Sequence, residues 1–222
     1  MEATQDMGAL ARELFNEALG TCDPRKFGEA RPNDAIVLAT RGTRTIYIEE
    51  SWGPAIPYHA VQHEDGTRNH GYRPVKGDRD AIEAIPEVQG YPELADFLIA
   101  INASDTPIES VGCEKLQEEA VHEQQTIVSV SCYVDVIFSD LSANDDPHRH
   151  LQLAARLAAA LEGCEQWWTG LELGLQRLRG WSGSVAPWGL LVRVNSAGRT
   201  AVQARQMWRH SLQCLARAIG RT

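Results

Sequence analysis

Residues 126–138 read TIVSVSCYVDVIF. Val128, Val130, Cys132, Val134, Val136 and Phe138 occupy every second position, with Ser129, Ser131, Tyr133 and Asp135 between them. Successive side chains of an extended chain point to opposite faces, so this alternation predicts a long strand with one buried apolar face and one largely polar face. Strands of a parallel sheet covered by helices on both sides would read as nearly continuous apolar runs. The stretch therefore predicts an α+β fold, a mainly antiparallel or mixed sheet with helices packed on one face in a two-layer sandwich.

Reading towards the C-terminus, Asp146-Pro147 supplies a cap and a first-turn proline. Leu153, Ala154, Leu157, Ala158 and Leu161 then line one side of a helix ending at Gly163. Residues 167–178 fit either period; the interior glycines Gly170 and Gly174 favour a strand over a helix. Trp188, Leu190, Val192 and Val194 alternate again, and Ala204, Trp208, Leu212, Leu215 and Ile219 form the apolar stripe of a last helix starting near Arg199. Residues 126–219 are thus expected to form a β-α-β-β-α core.

Reading towards the N-terminus, residues 7–19 carry a helical apolar face stopped by Gly20, and 35–40 and 43–49 are β-favouring runs around a turn at Arg41-Gly42. Pro92 opens a short helix near 92–102. Between them, 51–90 is rich in Gly, Pro, His and charge and far longer than an ordinary connection, which predicts a long irregular insertion. Residues 1–222 are expected to form one domain.

The net charge of −9 conceals a gradient. After Glu172 no acidic side chain follows, whereas Arg177, Arg179, Arg193, Arg199, Arg205, Arg209, Arg217 and Arg221 do. On the last helix, Arg199, Gln203, Gln206, His210, Gln213 and Arg217 fall opposite the apolar stripe, a face suited to an acidic protein surface or to self-association. A sequence pI of about 5.3 argues against a nucleic-acid binder. Trp167, Trp168, Trp181, Trp188 and Trp208 cluster late in the chain as core or interface residues. The acidic N-terminus and the lack of an apolar run near the roughly 20 residues a bilayer requires predict a soluble cytoplasmic protein without a membrane partner. Cys22, Cys113, Cys132, Cys164 and Cys214 are odd in number and form no CxxC pair, so reduced thiols are expected.

Three groups could carry chemistry. His59, His63 and His70 lie in the insertion, and a His pair four apart can present two imidazoles to a metal on a helix, although Pro57 and Gly66 disfavour a helix there. Cys113, read as a loop residue, has His122 downstream as a candidate base, but Glu109 and Glu114 would suppress its thiolate. Asp135 stands alone on the polar face of the central strand, beside Tyr133. His150 is expected to be a structural histidine beside its helix's apolar stripe. No phosphate-binding motif and no cofactor signature is present.

The order of strands and helices across 126–195 resembles that of small assembly proteins such as phage tail terminators, in element order alone and without a shared motif. The function expected is that of a non-catalytic interaction, assembly or accessory protein of a bacterial or phage system, such as a conflict or defence locus. The alternative is a hydrolase or metal-dependent enzyme using the histidines of 51–90 or Cys113.

Overall fold

The computed structural model describes residues 2–20, 30–31, 35–64, 66, 68–122, 125–161, 168–179 and 187–220. Their elements run α1 (Glu2–Leu19), β1 (Ala30–Arg31), β2 (Ala35–Arg41), β3 (Arg44–Ala55), β4 (Val61–Gln62), β5 (Arg68–Asn69), α2 (Arg79–Glu83) and α3 (Pro92–Ile101). They continue β6 (Ile108–His122), β7 (Gln125–Phe138), α4 (Pro147–Ala160), β8 (Thr169–Arg179), β9 (Trp188–Gly198) and α5 (Ala201–Ile219).

The alternating stretch is β7, and it lies inside a seven-stranded sheet of order β1-β2-β3-β8-β9-β7-β6. Every pairing is antiparallel except β3 with β8, so the sheet is mixed and the fold is α+β. The even-numbered residues Val130, Cys132, Val134 and Val136 meet Leu173, Val192 and Val194 and, above them, Phe15, Leu98, Leu157 and Trp208 of the helices in one buried cluster. Burial of that apolar surface, at roughly 25 cal/mol per Å², is the principal stabilising contribution. Cap chemistry fixes where the helices begin: the Asp146 side chain accepts from the His148 N–H at 2.9 Å ahead of α4, and Thr200 Oγ1 accepts from the Gln203 N–H at 3.2 Å ahead of α5.

Residues 167–178 resolve in favour of a strand. A β-carbon on Gly174 would stand 2.6 Å from the Tyr47 ring, so glycine is what lets the Tyr47 side chain of β3 lie flat on β8. The first helix begins earlier than expected, at Glu2, and α4 closes at Ala160. Cys22, Cys164, Trp167 and Trp181 lie outside the described residues.

Two expectations need correction. Cys113 is not in a loop: 108–122 is a full strand, hydrogen-bonded to β7 from Ile108 opposite Phe138 to His122 opposite Gln125. The long insertion is irregular over much of its length but contains short regular pieces. β3 continues to Ala55 along β8, the two-stranded β4-β5 hairpin follows, and α2 and a short 3-10 turn at Pro86–Val88 complete the segment. It folds because it buries Ile56, Val75, Ile82 and Val88. Its far end is pinned by Lys76, whose Nζ donates to the Thr106 carbonyl at 2.7 Å, Thr106 Oγ1 at 2.6 Å and the Ile108 carbonyl at 2.5 Å. These bonds tie the segment to the start of β6.

The consequence for β7 is that its second face is not uniformly wet. Ile56, Val111, Ile137 and Leu178 form a separate apolar cluster there, with Tyr58 and Tyr72 against it. Val134, Asp135, Val136 and Ile137 are all buried, so the alternation of polarity does not translate into alternation of exposure at this end of the strand. No helix among the described residues is long and apolar enough to cross a membrane.

Candidate functional site

A cavity of about 520 Å³ opens on this second face, between the β6-β7 hairpin and the 55–75 segment. Its floor is built from β7 and β6. Asp135 and Gly112 are directly paired in the ladder and therefore share a face, as do Tyr133 and Glu114 two residues on. The irregularity at Val111 sets this register, turning Val111 into the apolar cluster beneath the segment.

Asp135 is only 6% exposed. Its Oδ1 accepts from Gln176 Nε2 at 2.6 Å, a bond that crosses β9 from β8. Its Oδ2 lies over Gly112, 3.1 Å from where a β-carbon would stand, and the Tyr58 hydroxyl is 3.5 Å from the same point. The missing side chain is thus the space in which these two groups converge. Burial pushes the Asp135 carboxyl up; the Gln176 bond lowers it, Glu49 raises it and Arg193 lowers it, with a net value of about 7. The carboxyl is poised between charge states near neutral pH.

The walls come from the covering segment. The backbone N–H of Ile56 donates to the Arg179 carbonyl at 2.6 Å, and that of Tyr72 to the Tyr58 carbonyl at 2.9 Å. These bonds hold Tyr58 and Tyr72 edge to face at 6.4 Å. Burial, then the proximity of Cys113 and Asp135, pushes the Tyr58 phenol up to about 12, and burial likewise raises Tyr133. Both phenols stay protonated and can donate. His63, Arg68, His70 and Arg73 stand around the opening, and Glu87 reaches in from the 3-10 turn.

Among the residues singled out from sequence, Asp135 and Cys113 line this cavity, as do His63 and His70. His59 is exposed and not among the lining residues. No three His, Cys, Asp or Glu among the described residues are grouped closely enough to hold a metal ion. Cys113 and His122 do not come together. Both lie on β6, paired with Val134 and Gln125 respectively, so at about 3.3 Å per residue their backbones are roughly 30 Å apart. His122's side chain lies outside the described part. Burial, then Glu87, Cys132, Asp135 and Glu114, pushes the Cys113 thiol up to about 12, the opposite of what a nucleophile needs. Cys113 is accordingly expected to react with an aromatic disulfide at least a hundredfold more slowly in the native protein than in urea, measured by thiolate release. Equal rates would restore it as a nucleophile candidate.

The α5 residues Gln203, Gln206, His210, Gln213 and Arg217 are all exposed, as is Arg199, which precedes the helix instead of opening it, and Val202 beside them is 66% exposed. The arginines on the helix flank are not unbalanced, however. Arg205 meets Glu93 of α3 at 2.6 Å and Arg209 meets it at 3.0 Å, an acid 112 residues upstream of Arg205. Gln176, Tyr58, Gly112 and the arginines of the opening were not singled out from sequence, whereas Asp135, Cys113, His63 and His70 were. No family model, curated protein or solved structure matches the chain.

Proposed function

We propose that this chain is a non-catalytic binding protein whose ligand site is the Asp135 cavity. The observation that carries this reading is a buried, near-neutral carboxyl set at the floor of a polar-lined cavity of about 520 Å³, a size within the range of small-molecule sites. Tyr58 and Tyr133 can orient a ligand there by hydrogen bonding, while Gln176 holds Asp135 in place. The elevated thiol of Cys113 speaks for recognition rather than covalent chemistry. A panel of small polar metabolites should include compounds that raise the thermal midpoint of the wild-type protein. That shift should vanish in Gly112→Val, which fills the space between Asp135 and Tyr58, and shrink in Arg73→Ala at the opening. A ligand present at 100 times its Kd stabilises by about 2.7 kcal/mol, a readily measured shift. Shifts that persist in Gly112→Val would place binding elsewhere.

A second reading, favoured by the fully exposed α5 row, is docking of an acidic protein or of a second copy on that helix. Charge on such a face governs association rate and orientation. Arg199→Glu combined with Arg217→Glu should then abolish salt-sensitive association, read by sedimentation and by retention of acidic protein partners. Unchanged association would remove this reading.

A further inference from the structure

The cavity pairs one buried acid on β7 with exposed arginines on the covering segment, and this separation points to a ligand class. The inference rests on the cavity being the binding site. At the floor stands Asp135, with Glu87 half-buried on the 3-10 turn and Glu114 exposed on β6, and no lysine or arginine reaches hydrogen-bonding distance of Asp135 among the described residues. Its single partner there is the neutral amide of Gln176, through one oxygen only. The other oxygen faces the space over Gly112. Arg193, opposite Tyr133 on β9, acts on Asp135 only at longer range, and its guanidinium lies 3.8 Å from Glu172 instead. A carboxyl 94% removed from solvent yet lacking a cation is the group whose ionised form a ligand cation would stabilise most. Tyr58 adds an aromatic ring and a hydroxyl beside it, surroundings that suit ammonium and guanidinium groups.

At the opening the sign reverses. Arg68 and Arg73 are exposed and line the cavity, and neither forms an ion pair with an acid among the described residues. Guanidinium groups at a lip suit a carboxylate or phosphate that remains partly in water. A ligand with one charge alone would satisfy one end and be repelled by the other.

We propose that the cavity takes a small zwitterion, with an ammonium or guanidinium group against Asp135 and an anionic group at Arg68 and Arg73. Nα-acetylarginine, N-acetylagmatine and Nα-acetylcitrulline separate the two ends: with the amine blocked, the agmatine derivative lacks the anion and the citrulline derivative lacks the cation. Calorimetric titration of the full chain should show acetylarginine binding, acetylcitrulline at least tenfold weaker and acetylagmatine at least threefold weaker. Asp135→Asn, which keeps the shape and the Gln176 bond, should weaken acetylarginine at least tenfold while leaving acetylcitrulline unchanged. Arg68→Gln combined with Arg73→Gln should erase the difference between acetylarginine and acetylagmatine, with circular dichroism confirming that both variants are folded. Acetylcitrulline binding as tightly as acetylarginine, or acetylarginine affinity indifferent to Asp135→Asn, would overturn the proposal. If none of the three binds while other metabolites give shifts lost in Gly112→Val, the ligand class is wrong and the cavity remains the site. If no compound gives a Gly112-dependent shift, both readings fall.

Discussion

Asp135→Asn is expected to make the unliganded protein more stable at pH 8, by about 2–4 kcal/mol, and to change it little below pH 4. The carboxyl has a folded-state value of about 7 against an ordinary 3.8. Between those values the native state holds a proton that the unfolded chain has released, so wild-type stability falls as pH rises through the window and levels off above it. Burial is the largest cause. The groups that face the carboxyl are Gln176 from β8, Glu49 from β3, Arg193 from β9 and Tyr58 from the covering segment, and together they leave the raised value in place. Asparagine retains an acceptor for Gln176 Nε2 and never has to ionise. Urea unfolding of both proteins from pH 4 to 8 checks this. A difference between them that does not vary with pH would refute the assignment.

His150 supplies the opposite slope. It is completely buried in the first turns of α4, its ring 4.9 Å from that of Phe138, with neither nitrogen making a well-formed hydrogen bond among the described residues. Burial lowers its value to about 4, only partly opposed by Asp146 and by a weak backbone interaction with Trp188. Its place near a helix N-terminus further disfavours the cation. Here the unfolded chain takes up a proton first as pH falls from 6.5, so native stability is lost, up to about 3 kcal/mol by pH 4. His150→Leu should remove that acid loss, and the wild-type ring protons should not titrate by NMR above pH 5. A midpoint near 6.5 would show the ring to be solvated. Because the two windows overlap and their slopes oppose, the contributions of Asp135 and His150 should largely cancel between pH 4 and 6.5. Each single variant should tilt the stability profile in the opposite direction.

The parts of the fold that were legible in sequence are those in which one element alternates or repeats against a single solvent face. The stripe of α5 and the first part of the strand at 126–138 satisfy that condition; the hairpin turning at Gly42 is buried on both faces and was legible from its turn and its β-favouring residues. β6 does not. Its residues 114 and 116–120 are all exposed, so Glu114, Leu116 and Glu118 leave no apolar period, and the irregularity at Val111 breaks the phase of the buried part. The extension of β3 was hidden for a related reason: its pairing with β8 shifts register between Ile48 and Trp52 and again before Ala55. At the candidate site the odd residue, Asp135, was visible, but what surrounds it was not. Gln176 is 41 residues away and acts across an intervening strand, and the role of Gly112 is defined by absence of a side chain. Partners that meet only through tertiary packing leave no local period to read.

The single parallel pairing has a bearing on how the chain assembles. β2 and β3 close on each other through a two-residue turn, and β6 with β7 is equally local, but the junction of β3 with β8 joins residues such as Thr43 and Thr169 that are 126 apart in sequence. Closing so long a loop adds little to the equilibrium cost, since each doubling of length costs only about 0.6 kcal/mol, yet contacts of this kind slow folding. The seam therefore joins a local β1-β2-β3 piece to a β8-β9-β7-β6 piece whose own β7-β9 pairing already links residues as far apart as Val128 and Gly198. Until it closes, Arg44–Ala55 and Thr169–Arg179 are raw strand edges facing each other, the most aggregation-exposed surfaces of the nascent chain.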